Sequence, residues 1–119
     1  MGVEWVRRHC LKFPHVTEQI QWGDDLVLKI GGKMFAVAAL EPRAVFLSFK
    51  CTPEEFGELT DLPGIIPAPY LARAQWIALE REDALPAAEI RRLLRKSYDL
   101  VFAKLTKKSR TALGGGGAL

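Results

Sequence analysis

The apolar positions of the chain follow two rhythms. Val3, Val6, Cys10 and Phe13 recur at spacings of three and four, which places them on one face of a helix over residues 1–13. Pro14 ends that helix, because proline cannot donate the helical hydrogen bond and restrains the residue before it. From Thr17 to Lys50 the period becomes two. Residues 17–22 alternate Glu18, Ile20 and Trp22 with Thr17, Gln19 and Gln21, and Gly23-Asp24 marks a turn. Leu26, Leu28 and Ile30 give the next strand its inward face, with Val27 and Lys29 pointing the other way. Gly31-Gly32 then reads as a two-residue hairpin turn, whose positive φ angles glycine adopts at little cost. Residues 33–40 form a third strand, Glu41-Pro42-Arg43 a turn, and residues 44–50 a fourth strand. Connections this short make neighbours antiparallel, so the four strands are a meander.

Thr52-Pro53-Glu54-Glu55 opens a short helix over residues 53–60, with Thr52 as cap, Pro53 at the first helical position and Glu55 completing a capping box. Residues 61–70 carry Pro63, Gly64, Pro67 and Pro69, which predicts an extended loop. Residues 75–80 make a last strand. Leu85-Pro86 opens a final helix running to about Lys107, with an apolar stripe of Ile90, Leu93, Leu94, Tyr98, Val101 and Leu105. Gly114 to Gly117 predict a flexible tail over residues 111–119, leaving one domain in residues 1–110. The fold class is α+β: a two-layer sandwich in which the N- and C-terminal helices pack on one face of an antiparallel meander sheet.

Composition supports a packed domain, with 49% hydrophobic and 26% charged residues. Glu4, Arg7, Arg8 and Lys12 interrupt the first helix, so it lacks the apolar centre of a signal peptide. No run approaches the roughly 18 apolar residues of a membrane span. The expectation is a cytoplasmic protein with no membrane association. Cys10 and Cys51 are the only cysteines and read as reduced, Cys10 as a small core residue. With His9 and His15 the only histidines, no metal site or cofactor is expected. The net charge of +3 conceals an asymmetry. Up to Ile90 there are 9 basic and 13 acidic residues; from Arg91 onward there are 8 basic residues against Asp99 alone.

Several short stretches, taken in order and spacing, resemble the MmcQ/YjbR family over most of residues 1–110. They are Phe13-Pro14-His15, Trp22-Gly23, the run Gly32-Lys33-Met34-Phe35-Ala36, the lone Trp76, and Ser97-Tyr98 followed by Lys104-Leu105. The resemblance implies a frataxin-like fold and a DNA-binding role through a double-wing arrangement. It brings no catalytic residues with it.

The residues themselves offer no nucleophile with a base, no carboxylate pair and no phosphate cradle. Gly31-Gly32-Lys33 lacks the glycine spacing of a phosphate loop and reads as a hairpin turn. A non-enzymatic binding module follows. Iron binding of the frataxin kind wants clustered carboxylates, whereas the first helix sets Arg7, Arg8 and Lys12 against Glu4. Trp22 and Trp76 read as core, Ser97 on the long helix as bonding back to a backbone carbonyl, and Tyr98 as anchoring that helix to the sheet through its hydroxyl. The strongest signal is the basic cluster from Arg91 to Arg110, since phosphate neutralisation by Lys and Arg supplies most non-specific nucleic-acid affinity. Lys104, Lys107 and Lys108 also suit the C-terminal end of a helix dipole, which Arg91, Arg92 and Arg95 do not. Candidate DNA phosphate contacts are Arg91, Arg92, Arg95, Lys96, Lys104, Lys107 and Lys108 on the helix, with Lys29, Lys33 and Arg43 on the hairpin wings. Lys33 reads equally well as a solvated strand-end lysine. The alternative function is a protein-interaction or small-ligand module using the Pro-rich loop 63–70.

Overall fold

A computed structural model describes residues 2–113. The elements in chain order are α1 (Val3–Leu11), β1 (Thr17–Gln21), β2 (Asp25–Ile30), β3 (Lys33–Ala39), β4 (Leu47–Lys50), α2 (Pro53–Thr60), β5 (Ile65–Pro67), β6 (Trp76–Leu79), α3 (Ala87–Ala103) and α4 (Lys107–Ala112), with a single 3-10 turn at Ala72–Ala74. The six strands form one antiparallel sheet in the order β1-β2-β3-β4-β6-β5. Helices α1 and α3 cover one face, and their stripes meet the inward residues of the sheet as the spacing predicts. Val6, Cys10, Leu28, Ile30, Phe49, Leu79, Leu93 and Leu94 all lie in one core. Each large apolar side chain removed from water there contributes about 1.5–3 kcal/mol.

The meander is interrupted by a bulge. Leu28 pairs with Ala36 but Lys29 pairs with Met34, so Phe35 is an extra residue on β3. The insertion sends Phe35 as well as Ala36 into the core, and both are fully buried. A bulge leaves a carbonyl without its ladder partner. Ser97 on α3 supplies one: its hydroxyl donates to the Phe35 carbonyl at 2.6 Å and accepts from the Lys50 N–H at 3.0 Å. One side chain thus replaces a missing rung between β3 and β4. Tyr98 donates to the Pro14 carbonyl at 2.7 Å, so its hydroxyl fastens α3 to the α1–β1 connection and not to the sheet. Its ring packs against Phe13, Phe35 and Phe102.

Four boundaries depart from the sequence reading. The stretch 61–70 is not all loop, because Ile65–Pro67 pairs with β6 as an edge strand. Proline is tolerated there because its missing N–H faces outward from the sheet. The last helix stops at Ala103 and a separate α4 follows, since Thr106 caps the new helix by accepting the Ser109 N–H at 3.0 Å. Helix α4 runs to Ala112 and Leu113 packs against the core, so ordered helix continues past Arg110; residues 114–119 of the expected tail lie outside the described residues. The fourth strand begins at Leu47, three residues later than expected.

The second face of the sheet is apolar as well. Val27 does point away from the helices, yet it too is fully buried. The segment from Ala68 to Gln75 folds back over this face, and Ala68, Trp76 and Ala78 form a small second core. Trp76 is therefore core, but of this smaller cluster.

Candidate nucleic-acid interface

In an antiparallel meander consecutive turns fall at opposite ends of the sheet. The β2–β3 turn, the end of β4, the start of β6 and the C-terminus of α3 share one end. The β1–β2 and β3–β4 turns share the other. The two expected wings, around Gly31-Gly32 and around Glu41-Pro42-Arg43, therefore do not stand side by side. Arg43 is held away from Lys29 and Lys33 by the length of β3. It is also engaged by Asp25 at 3.0 Å and Asp24 at 3.6 Å. Glu41, Glu80 and Glu82 line a hollow with it, which makes this end acidic.

The opposite end collects lysines. Leu105 packs directly on Gly31, so closely that a Cβ added there would come within 2.7 Å of Leu105 Cδ1. This contact brings Lys33, two residues beyond the turn, to the same end as Lys104, Lys107 and Lys108. All four are exposed, and none has an acidic partner within 4.0 Å among the described residues. Lys50, which the sequence did not single out, joins them. Its amine donates to the Ala74 carbonyl. Burial, then the charge of nearby Lys104, pushes its pKa down. Lys29 donates to the Gln19 side-chain oxygen at 2.8 Å, an uncharged partner that leaves its positive charge in place.

The helix break changes the meaning of two of these lysines. Lys107 and Lys108 stand in the first turn of α4, where positive charge is unfavourable with respect to the dipole. Helix-dipole complementation thus explains Lys104 and fails for its two neighbours. Arg92 and Arg95 of α3 behave in the opposite way, because carboxylates match their charges. Arg92 donates to Glu89 at 2.7 Å and to Glu55 at 3.3 Å, the same Glu55 that completes the Thr52 capping box. Arg95 pairs with Asp99 at 3.1 Å and lies over Phe13 and Tyr98. Arg91 lies over the Trp5 ring at 5.6 Å. Lys96, on the outer surface of α3, has no acidic partner among the described residues.

Burial pushes the Cys10 thiol up to about 12, and burial followed by the charge of Glu55 pushes Cys51 up to about 11. Both are buried, so neither is a nucleophile near neutral pH. Among the described residues no three His, Cys, Asp or Glu side chains group as metal ligands would. None of the described helices is long and apolar enough to cross a membrane.

Two aromatic residues were misread or passed over in the sequence. Trp22 is not core: it is 65% exposed, with φ at 52°. The β1–β2 turn demands that left-handed backbone just before Gly23, and it lifts the ring off the alternating face of β1. Tyr70 is fully exposed, also with positive φ. Both line a groove on the second face of the sheet.

Comparisons with known proteins agree with this architecture. The YjbR family model matches residues 11–100. The uncharacterized protein YbdF of Escherichia coli O157:H7 is 27% identical over 109 residues, covering 90% of this chain and 89% of that protein. A Deinococcus radiodurans protein with a DUF419 domain is 32% identical, with a TM-score of 0.83 over 95% of this chain and 88% of its own. A Pseudomonas syringae protein shares the fold at 23% identity, with a TM-score of 0.68 over 84% of this chain and 98% of its own. Three of the stretches that carry the likeness, around Pro14, Phe35 and Ser97-Tyr98, meet at one structural node, where Ser97 bonds the Phe35 bulge and Tyr98 bonds Pro14. With that fold, and with the match running through both sides of this node, the chain belongs to the YjbR family.

Proposed function

We propose that this domain is a non-enzymatic, cytoplasmic module that holds nucleic acid by its phosphate backbone through the lysine-rich end. The reading rests on one observation above the others. Leu105 on Gly31 gathers Lys33, Lys104, Lys107 and Lys108 at one end with no acidic side chain to neutralise them among the described residues. Two of the four are unfavourably placed for their own helix, which is understandable if their charge serves a partner. Lys29, Lys50 and Lys96 extend the positive field around that end, whereas Arg43, Arg92 and Arg95 are committed to carboxylates. Contact is thus made by one hairpin turn and α4, in place of two wings.

Lysine is a point charge without the planar fork of arginine, so this surface recognises phosphate with little sequence preference. The test is fluorescence anisotropy of a labelled random-sequence duplex, titrated at several salt concentrations. Log affinity should fall linearly with log salt, with a slope of about −4 if all four lysines each meet a phosphate. Absence of binding at low salt would leave the lysines as a solvated surface and end the proposal.

A further inference from the structure

The second face of the sheet holds a groove that the lysine-rich end does not use. Its cavity volume is about 570 Å³. Met34 and Val37 of β3 form part of the floor, and Trp22 and Tyr70 border it. Trp22 comes from the turn after edge strand β1, and Tyr70 from the loop after the opposite edge strand β5. Both take φ in the left-handed region, 52° and 67°, which bulky side chains rarely adopt. Both rings remain in solvent, although an aromatic side chain gains by burying about 150–250 Å².

The floor also carries a polar group without a partner. Ser48, at the middle of the sheet on β4, is 9% exposed and lines the groove. Its hydroxyl is engaged by no other group among the described residues. No fully buried side-chain oxygen or nitrogen there lacks a partner, so this hydroxyl opens onto the groove. At the rim Arg43 is matched by Asp24 and Asp25, so the groove presents no free positive charge. It offers apolar walls, two aromatic faces and one hydroxyl.

We infer that the groove binds a small, uncharged, planar aromatic molecule carrying one hydrogen-bonding group. The ring lies against Trp22 and Tyr70, and the polar group meets the Ser48 hydroxyl. The volume falls within the about 300–1,000 Å³ usual for small-molecule sites. A phosphate backbone finds no unpaired cation at this rim. This site is therefore independent of the nucleic-acid reading and can fail or stand without it.

The experiment is a titration of the full ¹⁵N-labelled chain with 2-naphthol, followed by two-dimensional NMR. Saturable shifts are expected at Val37, Ser48 and the Trp22 indole. Ser48→Ala should weaken binding by about fivefold, the usual worth of one neutral hydrogen bond. Tyr70→Ala, at a fully exposed position that leaves the core untouched, should weaken it similarly. Charge reversal at Lys104, Lys107 and Lys108 should leave the titration unchanged. Shifts that grow without saturating, or an affinity indifferent to both Ser48→Ala and Tyr70→Ala, would overturn the assignment. So would concentration-dependent broadening of the same resonances without probe, which would mean that a second copy of the chain covers the groove.

Discussion

The two ends of the sheet are built alike and behave differently. Each is closed by a tight turn with positive-φ glycines: Gly31 and Gly32 at one end, Gly23 at the other. Each carries basic side chains. At the acidic end Arg43 is clasped by Asp24 and Asp25, and Arg81 by Asp83 at 3.0 Å. At the basic end Lys33, Lys104, Lys107 and Lys108 find no carboxylate within 4.0 Å among the described residues. Charge on a sequence is therefore not charge in a field. Screening over about 8–10 Å means that a cation beside its own carboxylate offers little to a distant partner, while a cluster without one adds up.

The ends also differ in how they are fastened. Nothing stands within 4 Å of a Cβ added to Gly23, whereas one added to Gly31 strikes Leu105. Alanine at either position must adopt a left-handed backbone, at a cost of about 1–2 kcal/mol. Gly31→Ala should cost at least about 1 kcal/mol more than Gly23→Ala in urea denaturation, because overpacking adds to the strain. Equal costs would mean that the turn is not held against Leu105, just beyond α3. Ser97→Ala sharpens the same point. It strips the Phe35 carbonyl and the Lys50 N–H of their shared partner, and should cost about 2 kcal/mol.

Arg43→Ala is the milder counterpart at the acidic end. Its ion pairs are partly exposed, so the loss of stability should stay below about 1 kcal/mol, with duplex affinity unaltered. Smallest is a pH effect at His9, which stacks near Trp5 and meets the Arg91 carbonyl at 3.4 Å. Burial lowers its pKa first of all, and the charges of Arg91 and Lys12 lower it further against the carbonyl bond. The unfolded chain, with an imidazole pKa of about 6.5, then binds the proton more readily than the folded one. Stability contributed by neutral His9 is present above that value and is lost as pH falls from it through the lower folded value. His9→Phe should flatten the decline in melting temperature between neutral pH and mild acid.

Much of this was legible in the sequence because local rules and tertiary packing agree. The meander, the Thr52 capping box and the stripe on α3 came from spacing alone. What escaped were features set by contacts between distant segments. The bulge at Phe35 has no alternation signature, and its compensation by Ser97 depends on a helix 62 residues away. Trp22 sits at a position that alternation assigns to one face, but the turn after it rotates the ring out. The α3–α4 break had a signal, Thr106 three residues before Ser109, which the continuing apolar stripe through Leu105 masked. The opposite placement of the two hairpins follows from antiparallel geometry itself. The pairing of Arg92 with Glu55 does not, because α2 and α3 are brought together only by the fold.

The central claim is that the two ends differ in their free charge. It is tested most directly by duplex binding of two variants across a salt series. Reversal of Lys104, Lys107 and Lys108 to glutamate should weaken binding by about a hundredfold at low salt and reduce the log–log slope by about three. Reversal of Arg43 to glutamate should leave both unchanged. Equal losses from the two variants would contradict the account, because binding would then follow net charge and not the lysine-rich end.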